Sequence, residues 1–163
     1  MRLILVWSLA ILMSLLSMQI GRADTLKSSG NIMIFISFSM PEKNIKEWLQ
    51  QAELIHAPVI IRGLVNNSFK DTIKKMSQFT NDNHGGVQLD PTLFQRYQIT
   101  KVPAVVIKNT SECLPNQTCE ENYDVIYGNI TLSYALKKVA AQNDFLSPMA
   151  QDALNEMKGR YAN

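Results

Sequence analysis

The chain has 163 residues, with 16 Lys+Arg against 14 Asp+Glu and a formal charge of +2. That length predicts one domain. The basic excess sits entirely in the first 23 residues, which hold Arg2 and Arg22 and no acid, so residues 24–163 carry 14 bases and 14 acids. A net-neutral chain offers no basic groove for nucleic acid, and beyond residue 23 no stretch is apolar for long enough to span a membrane.

The opening segment reads as an export signal. Arg2 precedes an apolar run from Leu3 to Ile20, and Gly21-Arg22-Ala23 puts small residues three and one places before a cut after Ala23. The run is also long enough for an uncleaved anchor. Its small-residue end favours cleavage, which makes residues 1–23 a signal and leaves no stable membrane insertion afterwards.

Asp24 to Gly30 is a polar leader. Asn31 to Phe38 is almost continuously apolar, as in a strand covered on both faces. In Ser39-Met40-Pro41-Glu42 a Ser precedes a Glu by three places, a capping box that predicts Ser39 as N-cap and Glu42 as its return partner. Ile45, Trp48, Leu49, Ala52 and Ile55 then recur at helical spacing, with Trp48 assigned to the core, until Pro58. Val59 to Val65 is a second strand. Asn66-Asn67-Ser68 turns into a second helix with Phe69, Ile73, Met76 and Phe79 set inward. His84-Gly85-Gly86 breaks it.

Val87 to Leu89 is a short extended piece, and Asp90-Pro91 opens a helical turn carrying Leu93, Phe94 and Tyr97. A strand over Ala104–Ile107 is entered through Val102-Pro103. A polar hairpin holds Cys113 and Cys119, and Tyr123–Tyr127 returns beside it. Gly128-Asn129 leads into a helix with Leu132, Ala135, Leu136, Val139 and Ala140 on one face. A last helix starts with Ser147 as N-cap and Pro148 at its first position, and ends at Gly159 as C-cap. Residues 24–146 thus form one domain and residues 147–163 an additional helix. A βαβ unit followed by a hairpin and a helix predicts an α/β fold with a mixed sheet flanked by helices.

Two cysteines in an exported chain read first as a disulfide, Cys113–Cys119, placed in a hairpin where a structural clip is expected rather than a redox pair. With only two cysteines and scattered histidines, no metal site is expected, and no cofactor. Ser39 as a nucleophile would need an adjacent base. The histidines, His56 and His84, lie elsewhere in the chain and there is no G-x-S-x-G, so a helix cap is the expectation. Arg62-Gly63 ends the second strand, where open α/β sheets expose functional groups. That order also allows Glu42 to pair with Arg62.

The Phe38–Glu42 and Tyr97–Val106 segments resemble those of thioredoxin-like proteins. Ser39 and Glu42 stand where a C-x-x-C motif would open the first long helix. Tyr97-Gln98-Ile99-Thr100-Lys101-Val102-Pro103 is similar to the segment before the third main strand, with Gln98 in place of a glycine. The resemblance implies a cis Val102–Pro103 bond and a site that cannot exchange thiols, because neither Ser nor Glu supplies a thiolate.

Four segments together resemble the TrbC family of F-type conjugative transfer systems: Phe35–Pro41, Ile60–Leu64, Leu89–Phe94 and Val102–Val106. That resemblance implies a non-enzymatic, redox-inactive thioredoxin-like protein of the periplasm that contacts other periplasmic and outer-membrane pilus assembly proteins. The expected contact surface comprises Ser39, Met40, Pro41, Arg62, Val102 and Pro103, with the Val102 backbone pairing to an extended partner segment. The rival readings are a periplasmic thiol–disulfide oxidoreductase or isomerase working through Cys113 and Cys119, and a pilin chaperone.

Overall fold

The computed structural model describes residues 31–79, 87–109 and 122–161. The expected export signal and the Cys113–Cys119 hairpin lie outside them. Five strands, β1 (Ile32–Ile36), β2 (Val59–Ile61), β3 (Val87–Leu89), β4 (Ala104–Asn109) and β5 (Asn122–Tyr127), form one sheet in the order β3-β2-β1-β4-β5. β1 runs parallel to β2, and β2 to β3; β4 is antiparallel to both β1 and β5. Five helices accompany them: α1 (Glu42–Glu53), α2 (Phe69–Ser77), α3 (Pro91–Arg96), α4 (Leu132–Ala140) and α5 (Ser147–Tyr161). The expected α/β mixed sheet is therefore present, widened by β3 at its edge. No described helix is long and apolar enough to cross a membrane.

The sheet separates two apolar clusters, and strand alternation decides which residue joins which. Ile32, Ile34, Ile36, Val59, Ile61, Val105 and Ile107 face the layer of α1, α4 and α5, where Ile45, Trp48, Leu49, Ala52, Leu136, Val139, Leu154 and Met157 meet them. Met33, Phe35, Ile60, Ala104 and Val106 face the other way, onto Phe94, Tyr97 and Ile99. There Phe35 meets Phe94 edge-on, with ring centroids 4.9 Å apart, an arrangement favoured by the ring quadrupoles. Trp48 is core, as its spacing predicts, with only 2% of its surface exposed.

Helix ends show where local rules hold and where they yield. Asp90 caps α3, accepting from the amides of Thr92 and Leu93 at 2.9 and 3.2 Å. Thr131 caps α4, and the Gln51 side-chain Oε1 on α1 accepts from the Leu132 amide at 2.7 Å, tying the two helices together. At α5 the expectation of a Ser147 cap is overturned. Asp144 accepts from the amides of Leu146 and Ser147, while the Ser147 hydroxyl accepts from the Asp144 amide and donates to the Val139 carbonyl. Gly159 is no C-cap either: the helix continues to Tyr161, and Arg160 contacts both Glu156 and His56.

Two further expectations are corrected. β2 stops at Ile61, so Arg62–Leu64 is loop. In α2, Phe69 and Ile73 face solvent, 63% and 51% exposed, while Thr72 is buried. The cause is a roll of the helix. The Thr72 hydroxyl donates to the Ser68 carbonyl at 2.7 Å and accepts from the Val65 amide at 2.8 Å, which brings Thr72, Met76 and Phe79 inward. Phe79 stacks on Phe38 with centroids 6.1 Å apart.

At the sheet's outer edge, the Val125 amide on β5 donates to its neighbour Asp124 at 2.8 Å, and Gln142 reaches the other oxygen of that carboxylate.

Leu154→Ala is expected to cost about 2–5 kcal/mol in urea unfolding, through lost burial and a cavity. Phe69→Ala should stay within about 0.5 kcal/mol, because its side chain is exposed. Gln98 adopts the left-handed backbone, φ 51°. Gln98→Gly relieves a penalty of about 1–2 kcal/mol and adds unfolded-state entropy of about 0.5–1 kcal/mol, so a small net gain in melting temperature is expected.

The Asp90 carboxyl is held below its ordinary value of 3.8, chiefly by the Thr92 hydroxyl and also by the Leu93 and Thr92 amides, against the cost of desolvation. A depressed carboxylate stabilises the fold above its unfolded value and loses that contribution as pH falls through the folded one. Asp90→Asn keeps a capping oxygen but not the titration. It should flatten the loss of melting temperature below about pH 4 and leave neutral-pH stability close to the parent's.

Candidate functional site

A cleft of about 460 Å³ opens where β1 and β2 end and the chain enters β4. Ile36, Phe38, Ile61, Leu64, Phe94, Ile99 and Val102 supply its apolar walls; Ser37, Ser39, Arg62, Thr100 and Lys101 supply its polar atoms. Three of the six residues expected to form a contact surface, Ser39, Arg62 and Val102, line it. The other three do not. Met40 packs half-buried against the α1 side of the core, Pro41 is the N-cap position of α1, and Pro103 is buried.

Ser39 is not the helix cap that its spacing with Glu42 predicts. The Ser37–Met40 turn closes first, with the Met40 amide donating to the Ser37 carbonyl at 3.0 Å. The residue before a proline is pushed to extended backbone, so the helix starts after Pro41, whose side chain caps nothing. Ser39 turns instead to Ser37, with hydroxyl oxygens 2.9 Å apart and the Ser39 amide donating to the Ser37 hydroxyl. The uncapped first turn of α1 adds partial positive charge at this end of the helix.

Glu42 does not pair with Arg62 either. It accepts from Lys75 of α2 at 2.6 Å. That hydrogen bond and the Lys75 charge hold its carboxyl below the ordinary 4.5. Arg62 and Lys101 consequently stand exposed at the cleft, and no carboxylate among the described residues forms an ion pair with either. The cleft is apolar inside and cationic at its rim.

The strap from Tyr97 to Pro103 forms one wall. Its first half is anchored: the Tyr97 and Ile99 amides donate to the Leu93 and Phe94 carbonyls, and the Tyr127 hydroxyl donates to the Gln98 carbonyl. Its far end is anchored as well. The Val102–Pro103 bond is cis, as the resemblance implies, and the Pro103 carbonyl accepts from the Gly128 amide at 3.1 Å. Gly128 has φ 128°, a backbone that suits glycine alone. Between these anchors the peptide groups of Thr100, Lys101 and Val102 bond to no other described residue. Consecutive unpaired N–H and C=O groups beside an apolar cleft can receive an extended chain by backbone hydrogen bonding.

No thiol and no imidazole is among the described residues lining the cleft. His56 lies at the opposite end of α1, about 18 Å of helix away, beside Arg160. His84 is outside the described residues. Sequence reasoning missed Leu64, Ile99, Thr100 and Lys101 as cleft residues. Their one signal is position, since they flank Arg62-Gly63 and Val102-Pro103 at the same end of the sheet.

The chain matches the family model described as "Type-F conjugative transfer system pilin assembly protein" over residues 34–139. It is 39% identical over 113 residues to "Periplasmic protein TrbC" of Escherichia coli (strain K12). That alignment covers 69% of this chain and 49% of the relative, so the chain spans about half the length of the curated relative it matches. No solved structure matches it significantly. The family match runs from within β1 through almost all of α4, including every residue of the cleft, and the chain belongs to the family of type-F conjugative transfer system pilin assembly proteins.

Proposed function

We propose that this chain is a periplasmic, non-catalytic assembly factor of a conjugative transfer system, built on a thioredoxin-like fold, whose cleft holds an extended segment of a partner protein. The observation that carries this reading is that the peptide groups of Thr100–Val102, beside an apolar cleft with cations at its rim, bond to no other described residue. Strand addition supplies affinity through the backbone, and the cleft selects an apolar side chain flanked by a carboxylate. The family supports the assembly role, and the relative's name supports the compartment. Where a thioredoxin-like protein would carry reactive thiols this chain has Ser39 and Glu42, which supports holding over oxidation.

The test is complementation of a donor strain lacking the chain, scored by pilus formation and mating frequency, with affinity capture from its periplasm. Val102→Pro removes an amide from the free stretch, and Lys101→Glu reverses a rim charge at an exposed position. Each should cut mating at least about tenfold and weaken capture of transfer-system proteins, with the melting temperature of Lys101→Glu unchanged. Normal mating and capture in both variants would overturn the reading. Cys113→Ser/Cys119→Ser should leave mating largely intact; loss of mating together with loss of a reducible, insulin-reducing thiol pair would favour the oxidoreductase.

A further inference from the structure

α2 exposes apolar surface that the fold makes no use of. Phe69 and Ile73 lie four residues apart on its outer side, and Leu64 in the preceding turn is 38% exposed. Isolated apolar side chains on a surface need no explanation, but three on one short turn-and-helix unit form a patch. The roll imposed by Thr72 leaves them there, while Met76 and Phe79 make the inward contacts.

The charge around the patch is one-sided. From Arg62 to Ser77 the chain has four cations and one carboxylate, Asp71, although the chain as a whole is nearly balanced. Lys75 is engaged by Glu42. Lys70 and Lys74, each next in sequence to an exposed apolar residue, form no ion pair among the described residues.

We propose that the outer face of α2, with Phe69 and Ile73 at its centre and Lys70 and Lys74 at its rim, docks an acidic amphipathic segment of another protein of the transfer apparatus. Two alternatives fit the same page less well. A second copy meeting this face across a two-fold axis would set lysines against lysines. A bilayer surface asks for a helix whose apolar face sinks about 5–10 Å, whereas α2 has nine residues and is pinned by Thr72 and by the Lys75–Glu42 pair. An acidic segment satisfies both the apolar side chains and the unpaired lysines. Leu64 also borders the cleft, but Phe69, Ile73, Lys70 and Lys74 are not among the residues that line it.

The test places a photoreactive benzoyl-phenylalanine at position 69 of the full chain in donor cells and maps the crosslinked peptide by mass spectrometry. The expected product is one segment of another transfer component, carrying acidic residues. As a synthetic peptide it should bind the purified protein about tenfold more weakly in about 0.5 M than in about 0.05 M NaCl. Lys70→Glu/Lys74→Glu should weaken it similarly, with melting temperature unchanged, and a peptide with its acids changed to lysine should regain binding to that variant. Binding should survive Val102→Pro, which separates this face from the cleft. Crosslinks only to a second copy, to lipid, to the chain's own other residues or to nothing would overturn the proposal. So would a mapped segment whose binding ignores salt and the lysine reversals.

Discussion

Coverage of β1 on both faces is the constraint from which the rest follows. Its side chains alternate between the α1–α4–α5 layer and the Phe94–Tyr97 cluster, and it has β2 and β4 on its two edges. A strand so placed meets water only at its ends. Its C-terminal end, Ser37–Ser39, is therefore where polar groups first become affordable in hydration terms. Because β2 runs parallel, with Ile36 opposite Ile61, it ends at the same place and delivers Arg62. Because β4 runs antiparallel, with Phe35 opposite Ala104, it begins there and delivers Val102 and Pro103. The cleft is thus a product of pairing direction: two strands leave the sheet and one enters it at a single point.

Two small polar contacts then set the character of this end of the molecule. Lys75 engages Glu42, and that acid at the start of α1 forms no ion pair with Arg62. The Thr72 hydroxyl bridges Ser68 and Val65 and fixes which side of α2 meets the core. One contact leaves the cleft rim cationic; the other leaves the Phe69 and Ile73 side chains on the surface. Both act through α2, which links the outer face of that helix to the edge of the cleft through Leu64 and Val65.

The strands were legible because near-continuous apolar runs follow directly from two-sided burial, and Trp48 was legible because its helix has a single apolar stripe. α2 was not. It carries two stripes at helical spacing, Phe69–Ile73–Met76 and Thr72–Met76–Phe79, which share Met76, and periodicity cannot choose between them. The choice rests on a hydroxyl meeting an amide of the preceding turn, a contact with no sequence pattern of its own. The Ser39–Glu42 spacing misled for a related reason: a capping box presumes that the chain enters the helix at the serine, and Pro41 delays that entry. Arg62 could be placed in the site from a strand end, and Ser39 and Val102 from the family resemblance of their segments. Thr100 and Lys101 could not, because what matters there is that their peptide groups find no partner among the described residues, which only three-dimensional anchoring on either side creates.

Asp124 gives the β5 edge of the sheet a further meaning. Among the described residues β5 has one side without a partner strand, as β3 has at the opposite edge. By folding its carboxylate onto the Val125 amide, with Gln142 against it, Asp124 occupies a donor that an incoming strand would need and sets a negative charge in its path. The outer side of β5 thus has at least one amide already satisfied, in contrast to the peptide groups of Thr100–Val102, which bond to no other described residue.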